Sequence, residues 1–411
     1  MKNKIAILLS ILALVLAALA CQAPWNTPTP TETNIPTEIT TEPPIETETQ
    51  APSETATTEP TPSLPVFSSP VLDNISFFSP LQGWAVTKDN NNILVTVDGG
   101  VSWLNATPAA LSTPPSGTTS WGLSPFFLDA NTAWVSPSNF GSGSGTLYHT
   151  TDGGVTWSTT PVPFDNARYF FLDQNGGYAL VDLGAGAGSQ YVAIYQTTDG
   201  GANWTQMFAH EPGGSMASLP GSGHKSGFAF LDMNHGWIGG DIPMNDYFYF
   251  YATTDGGVTW SLETDIILPA GYSNTYEEVR SPVFVGGTVG YLPVRMLTDA
   301  SETYLLIYRT DDGGQTWIHQ GMVQNGQDVD FDSPSSGWMA AGTSLYRSTD
   351  SGMTWAAMSL TGIPSTESIL KVDFVDGQYG WVITTPDSST LSPLKLYRTE
   401  DGGANWTQLL P

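Results

Sequence analysis

The sequence predicts an all-β protein, a seven-bladed β-propeller with four antiparallel strands in each blade. One octapeptide, close to Thr-Thr-Asp-Gly-Gly-x-Thr-Trp, occurs seven times at intervals of about 50 residues, which suits the four-stranded blade. A second pattern, a Phe-bearing segment followed by Gly-Trp or Gly-Tyr, precedes each octapeptide. The composition agrees, because 43 Gly, 30 Pro and 14 Trp with 12% charged residues are typical of a turn-rich β protein with an aromatic core. The octapeptide aspartates are Asp98, Asp152, Asp199, Asp255, Asp312, Asp350 and Asp401.

Each repeat predicts four strands, A to D. Strand A carries the Phe, as at Phe230, and strand B begins at Gly-Trp, as at Gly236 (Ala133-Trp134 in the second repeat). Strand C runs into the octapeptide and strand D starts at its Trp, with the alternation of apolar and polar residues that half-buried strands require. The Asp-Gly-Gly segment predicts a tight C-to-D turn, because glycine allows positive φ and the carboxylate accepts bonds from backbone amides. The sixth copy has Ser351 in place of the first Gly, and a strained turn is expected there.

The octapeptide resembles the Asp-box, or BNR repeat, of sialidases and related propellers. Over about residues 70–411 the whole repeat resembles the photosystem II stability/assembly factor-like family. That resemblance implies a seven-bladed propeller with a non-enzymatic role in handling other proteins. The photosynthetic members rely on a basic, arginine-bearing surface, whereas residues 66–411 hold 10 basic and 32 acidic residues. The resemblance therefore implies a fold and a type of role, but no particular partner.

Residues 1–20 are predicted to be a signal peptide, with Lys2 and Lys4 followed by an apolar run that ends at Ala20. The segment Ala18-Leu19-Ala20-Cys21 resembles the lipobox of bacterial lipoproteins, in which the cysteine is lipidated. It departs from the lipobox at Ala18, where Leu, Val or Ile is usual. An ordinary signal peptide with an incidental Cys21 is the alternative. The predicted location is the outer face of a bacterial membrane, with the propeller extracellular.

Residues 21–65 are predicted to be the lipidated cysteine and a disordered linker, and residues 66–411 the propeller. The 44 residues after Cys21 include 13 Thr, 10 Pro and 7 Glu and no Lys or Arg, so the segment has too little apolar surface to fold.

Charge and residue counts exclude several classes of function. The formal net charge of −27 opposes binding to a phosphate backbone, so nucleic acid is not an expected partner. Cys21 is the only cysteine, which leaves the propeller without a disulfide or thiol nucleophile. The five histidines lack the HxH and HExxH spacings of metal sites, so neither a metal nor a cofactor is expected. The propeller is expected to be monomeric.

Candidate binding residues are those that the repeat does not explain. Within the propeller, Trp121 is the one tryptophan outside the repeat pattern. In a propeller the D-to-A and B-to-C connections lie on one face and the octapeptide turns lie on the other. In this chain, long connections on the first face carry aromatic, acidic and arginine side chains that suit a peptide or a glycan. Ordinary solvated loops are the alternative. The candidates are Trp121, Arg168, Tyr272, Tyr276, Glu277, Arg280 and Arg295.

Sialidase activity is tested by the residues that this family requires, which are three arginines for the substrate carboxylate and a tyrosine nucleophile with a glutamate partner. Three of the six propeller arginines precede octapeptides in strand C, which leaves Arg168, Arg280 and Arg295. We expect that these three do not line one deep pocket. Tyr276 and Glu277 are adjacent, and adjacent residues of a strand point to opposite sides.

The predicted function is therefore a non-catalytic, cell-surface, lipid-anchored propeller that binds protein or acts as an assembly scaffold, with an unknown protein or surface glycan as its partner. The alternative is an extracellular glycan-binding protein or a sialidase-like glycoside hydrolase that uses the loop face.

Overall fold

Four-stranded antiparallel sheets build the folded part of the chain. The computed structural model describes residues 63–113, 122–138, 143–214, 217–264 and 266–410. All of these belong to the second of two compact units, Met1–Pro60 and Thr61–Pro411. Among the described residues the helical content is one 3-10 turn at Ala109–Leu111. None of these residues forms a helix with the length and apolarity needed to cross a bilayer.

Three sheets of four strands precede the middle of the chain, and in each the strands pair in the order of the sequence. The first contains β1 (Leu72–Phe77), β2 (Gly83–Thr87), β3 (Ile93–Thr96) and β4 (Leu104–Asn105). The second contains β5 (Leu123–Phe127), β6 (Ala133–Pro137), β7 (Gly145–Thr150) and β8 (Ser158–Val162). The third contains β9 (Ala167–Phe171), β10 (Gly177–Gly186), β11 (Ser189–Thr197) and β12 (Thr205–His210).

The next sheet has nine strands, because one extra strand joins two sets of four. The first set is β13 (His224–Phe230), β14 (Gly236–Asp241), β15 (Tyr249–Thr253) and β16 (Ser261–Leu262). The joining strand β17 (Tyr276–Val279) pairs with β14 on one side and with β19 on the other. The second set is β18 (Val283–Gly286), β19 (Val289–Leu297), β20 (Thr303–Thr310) and β21 (Ile318–Gln324).

Two more four-stranded sheets complete the described chain. One contains β22 (Gly326–Phe331), β23 (Gly337–Ala341), β24 (Ser344–Ser348) and β25 (Ala356–Ala357). The other contains β26 (Ser368–Phe374), β27 (Gly380–Thr385), β28 (Lys395–Thr399) and β29 (Thr407–Leu410). The prediction of an all-β fold with four-stranded antiparallel sheets is confirmed.

Aromatic stacking joins each repeat to the next. The Trp or Tyr at the start of strand B lies against the Phe at the end of the following strand A, with ring centroids 3.5–5.4 Å apart. These large rings bury extensive apolar area and fix the sheets face to face. The pairs are Trp84–Phe127, Trp134–Phe171, Tyr178–Phe230, Trp237–Phe284, Tyr291–Phe331, Trp338–Phe374 and Trp381–Phe77.

The last sheet packs on the first, as in a β-propeller. Phe77 stacks on Trp381 at 3.6 Å between centroids, and the Trp381 indole donates to the carbonyl of Gly99 at 2.8 Å. The Phe77 amide donates to Asp373 Oδ2 at 2.7 Å. Side-chain contacts therefore connect the last sheet to the first. The segment before β1 pairs with the first sheet, since Val66 forms a β-bridge with Leu104.

Three half-buried carboxylates lie on the innermost strands β22 and β26. Asp330 Oδ2 accepts the amide of Phe374 at 2.6 Å, the same contact that Asp373 makes with Phe77. Burial raises the pKa of Asp330 to about 7 despite that bond, and nearby Asp328 adds to the rise. Burial and the charge of Asp330 likewise raise the pKa of Asp373.

Candidate functional site

The strand registers separate two ends of every sheet. In the fourth repeat Gly236 pairs with Phe230 and with Thr253, so the A-to-B turn and the octapeptide turn lie at one end. Asp241 pairs with His224 at the other end. We call the first the box end and the second, where the D-to-A and B-to-C connections lie, the open end.

The carboxylate at the box end of the fourth repeat is fully engaged by its own turn. Asp255 Oδ1 accepts the Thr253 hydroxyl at 2.8 Å and the Thr259 amide at 2.9 Å, and Oδ2 accepts the Thr259 hydroxyl at 2.6 Å. The Thr253 hydroxyl oxygen in turn accepts the Gly257 amide at 2.9 Å. The Trp260 indole closes the turn by donating to the Gly257 carbonyl at 3.1 Å.

The same carboxylate contacts recur in the other six turns. In the sixth, Ser351 takes a φ of 69°, a left-handed conformation that favours glycine, and the bonds to Asp350 are kept. In the seventh, bonds from the Asn405 backbone amide and side chain lower the pKa of Asp401 to about 2. The octapeptide carboxylates thus accept their hydrogen bonds from groups of their own turn.

The three strand-C arginines also have partners inside the repeat. The Arg347 guanidinium lies over the Trp338 ring at 4.9 Å, and that of Arg398 lies over Trp381 at 5.8 Å. Arg309 pairs with Asp311 at 2.6 Å. Cation–π contact and ion pairing account for these arginines without a ligand.

At the open end a cavity of about 300 Å³ lies between the third sheet and β13. We call it the polar cleft. Three neighbouring inner and middle strands supply its charged wall, since β9, β10 and β13 carry Arg168, Asp182 and Lys225. Asn166, Gln190 and His224 also line it.

Lys225 is the buried cation of the polar cleft, with 1% of its surface exposed. Its three ammonium N–H groups are shared among four carbonyls at 2.8–3.2 Å, those of Gln190, Gly221, Ser222 and Gly223. Burial lowers the pKa of Lys225 to about 8, and the charge of Asp182 acts in the opposite direction. The lysine therefore holds the loop before β13 against β11.

Further bonds fix the other polar groups of the cleft. The Gln190 amide donates to Asp182 Oδ2 at 2.7 Å, and its oxygen accepts the Lys225 backbone amide at 2.7 Å. Arg168 donates to the carbonyls of Ser226, at 2.8 Å, and Lys225. These two bonds use two of the five guanidinium N–H groups.

A row of charged residues crosses four strands beside the polar cleft. His224 pairs with Asp241, Asp241 with Glu278, and Glu278 with Arg295, so β13, β14, β17 and β19 each contribute one member. Paired residues point to the same face of a sheet. We call these four residues the charged row. Its side-chain contacts are long, since His224 Nδ1–Asp241 Oδ1 and Arg295 Nη1–Glu278 Oε2 both span 3.8 Å.

Tyr276 joins the charged row through its hydroxyl, which donates to Asp241 Oδ2. Burial and this bond raise the pKa of Tyr276. The Tyr276 hydroxyl is therefore held as a hydrogen-bond donor to Asp241.

Three of the seven candidate residues therefore meet at the open end, Arg168 in the polar cleft and Tyr276 and Arg295 at the charged row. Tyr272 packs edge-on against Tyr304, with centroids 5.6 Å apart. Arg280 donates to the Gln327 carbonyl at 2.8 Å on the next inner strand, and it does not line the polar cleft.

Glu277 is buried on the opposite side of β17, where its carboxylate accepts the Tyr247 amide at 3.1 Å and the Thr275 hydroxyl. Burial raises the pKa of Glu277. Tyr276 and Glu277 consequently do not form a tyrosine–carboxylate pair. Trp121 and Cys21 lie outside the described residues.

Sequence reasoning did not select other polar residues of the cleft, among them Asn166, Asp182, Gln190, His224 and Lys225. The one available signal was His224-Lys225, two adjacent basic residues in a chain with few of them. Within the described parts of the chain, no group of three or more His, Cys, Asp or Glu side chains is arranged to hold a metal ion.

Comparison with known proteins gives one curated relative. No family model matches the chain. The photosystem II assembly lipoprotein Ycf48 of Synechococcus sp. (strain CC9902) is 35% identical over 88 residues, which is 21% of this chain. The match spans about a quarter of that relative's length, 24%.

Solved structures resemble the protein at low identity. A structure of Ycf48 bound to a D1 peptide is 17% identical with a TM-score of 0.49, covering 85% of this chain and 98% of that one. An ulvan lyase, described as a new family of polysaccharide lyase, is 11% identical with a TM-score of 0.50, covering 84% and 96%. The likeness to the lyase concerns the fold alone.

Proposed function

We propose that the protein is an exported lipoprotein whose propeller binds another protein and serves in its assembly, without catalysing a reaction. The observation that carries this proposal is the 35% identity over 88 residues to a lipoprotein that assembles photosystem II. Lipidation at Cys21 and a linker over residues 22–65 would tether the propeller to the outer face of a membrane.

The propeller is proposed to have seven Asp-box blades. Seven aromatic stacks follow one another through the described sheets, and the seventh runs from the last sheet to the first. The nine-stranded sheet then represents two blades, β13–β16 and β18–β21, which β17 joins through its pairing with both.

A binding role at the open end is supported by how the polar groups are arranged there. The charged row is held by long side-chain contacts, and Arg295 and Glu278 retain 43% and 33% of their side-chain exposure. The tyrosine and glutamate that would support sialidase-like chemistry are directed to different sides of β17. An ion pair between the charged row and a bound partner is shielded from water. It therefore contributes more to binding than a solvent-exposed ion pair contributes to stability.

Photo-crosslinking from the two ends tests the binding role. Leu183, which follows the cleft residue Asp182 in β10, and Val155, in the second octapeptide turn, each have 36% exposure and are a matched pair. We expect a benzoylphenylalanine in place of Leu183 to crosslink one protein, and the same probe in place of Val155 to crosslink none. The crosslinked protein should then bind the propeller when both are purified and mixed. Crosslinks only from Val155, or turnover of any glycoside by the purified protein, would contradict the proposal.

The anchor is tested separately. A palmitate analogue should label the wild-type protein and not the Cys21→Ser variant. Absence of label on the wild type, or label that persists on the variant, would show that Cys21 is not lipidated.

A further inference from the structure

A second cavity, of about 200 Å³, shares His224 with the polar cleft as a lining residue. Gly186, Gly188 and Asp241 contribute to its walls, and His224 lines both cavities. We call the two cavities together the groove. The tip of the β10–β11 hairpin forms one side of it.

The two ends of the groove carry opposite charge. At the cleft end, Arg168 offers three further N–H groups beyond its two described bonds, and the positive charges of Arg168 and Lys225 outnumber the one carboxylate in that wall, Asp182. At the other end, Asp241 is an acceptor whose Oδ1 lies 3.8 Å from His224 Nδ1, beyond hydrogen-bonding distance. A ligand carboxylate suits the first end and a ligand ammonium suits the second.

The separation of these charges sets the length of the ligand. Arg168 is bonded to carbonyls of β13, whereas Asp241 lies on β14, the next strand. One strand spacing of about 4.8 Å, a hydrogen bond of about 2.9 Å and a shift of one or two residues along the strand place the two groups on the order of 10 Å apart. That distance accommodates the two charged termini of a dipeptide, with one hydrogen bond at each end.

The hairpin wall leaves room for such a ligand. A Cβ added to Gly186 would meet no atom within 4 Å, and Gly186 does not have the positive φ that explains Gly184 and Gly188. Neither packing within the chain nor backbone conformation therefore accounts for a glycine at 186. A bare backbone at this position permits close approach of a ligand's own backbone.

We propose that the groove binds a short zwitterionic peptide of about two residues, with its carboxylate on Arg168, its ammonium on Asp241 and His224 between them. The site goes beyond the proposed assembly role, because it binds a free small molecule whether or not the propeller has a protein partner. The termini of the ligand, and not its side chains, determine recognition.

Calorimetric titration of the full chain with L-alanyl-L-alanine tests this proposal. We expect saturable binding, weakened about tenfold or more by N-acetylation or by C-terminal amidation, because each removes one charge-assisted hydrogen bond. No saturable binding up to about 10 mM, or equal binding of the blocked and free dipeptides, would overturn the proposal.

Two variants assign the two ends of the groove. Arg168→Gln should abolish the preference for the free carboxylate, and Asp241→Asn the preference for the free ammonium. Arg280→Gln and Asp299→Asn are matched controls outside the groove and should keep both preferences. If a groove variant fails to fold, the blocked dipeptides on the wild type still decide the question. A groove variant that folds and keeps both preferences would exclude the assigned contact.

Discussion

The box end and the open end use polar residues in opposite ways. At the box end the Asp255 carboxylate is saturated by bonds from Thr253 and Thr259 at 2.6–2.9 Å, all within one turn. At the open end, the carboxylates of Asp241 and Glu278 lie 3.8 Å from His224 Nδ1 and Arg295 Nη1, and these residues belong to four different strands. The octapeptide polar residues, which recur in every repeat, therefore serve the fold, and the partly exposed charged row, which does not recur, is the part left to bind a partner. Changes in the octapeptide turns should alter stability, and changes in the charged row should alter binding more than stability.

The largest loss of stability is expected from an aromatic residue between sheets. Trp381 is fully buried, stacks on Phe77 and donates to Gly99. Trp381→Ala should lower the free energy of unfolding by about 3–5 kcal/mol, measured by urea denaturation, because it opens a cavity where the last sheet meets the first. A cost below about 1 kcal/mol would show that this junction does not hold the ring together.

A box-end carboxylate should have a smaller effect, with no effect on binding. Asp401→Ala removes the acceptor for Thr399 and Asn405 and should cost about 1–2 kcal/mol. Since the folded pKa of Asp401 is about 2, below its unfolded value, its contribution is present above about pH 4 and is lost as the pH falls toward 2. Unfolding midpoints at pH 7 and pH 2 measure both effects. Loss of dipeptide or partner binding in this variant would contradict the claim that the box end serves stability and the open end serves binding.

The inner strands should show the opposite pH dependence. The folded pKa of Asp330 is raised to about 7, so the unfolded chain loses this proton first and stability falls as the pH rises from about 4 through 7. Asp330→Asn keeps an acceptor for the Phe374 amide and removes the charge. We expect it to stabilise the protein by on the order of 1 kcal/mol at pH 8 and to change little at pH 4, as measured by thermal unfolding. Equal effects at both pH values would show that folding does not raise the pKa of Asp330.

The smallest effect on stability is expected in the charged row. Arg295→Gln breaks an exposed pair with Glu278 and should change the free energy of unfolding by about 0.5 kcal/mol or less. The same variant should reduce the crosslinking yield from Leu183, because the row is proposed to face the partner. Lys395 is a matched control with a bonded carboxylate partner, Glu367 at 2.6 Å, and Lys395→Gln should leave the yield unchanged. An unchanged yield in Arg295→Gln as well would remove the charged row from the binding surface.

Local patterns made the fold predictable. Phe230, Gly236 and Trp260 mark strands and turns through contacts within one repeat or with its neighbour, and those contacts repeat with the sequence. The candidates Tyr272, Tyr276, Glu277 and Arg280 were expected to lie in a long connection, yet that segment contains strand β17. There Tyr276 and Glu277 alternate between the two faces and pair with β19, and Glu278 pairs with both β19 and β14.

The polar cleft was less predictable because its contacts are not local. Lys225 is held by Gln190, 35 residues away along the chain, and its burial depends on carbonyls of an irregular loop. Arg168 was selected as an arginine that the repeat does not explain, but its neighbours follow only from the packing of the third sheet on β13. A repeat pattern gives no information on which unrepeated side chains will meet.

Hydrogen–deuterium exchange of the protein with its crosslinked partner tests the central claim most directly. We predict that partner binding slows amide exchange in the β10–β11 hairpin, in residues 224–226 and in β17, and leaves the seven octapeptide turns unchanged. Slower exchange confined to the octapeptide turns, with none at the open end, would contradict the assignment of one end to the fold and the other to binding.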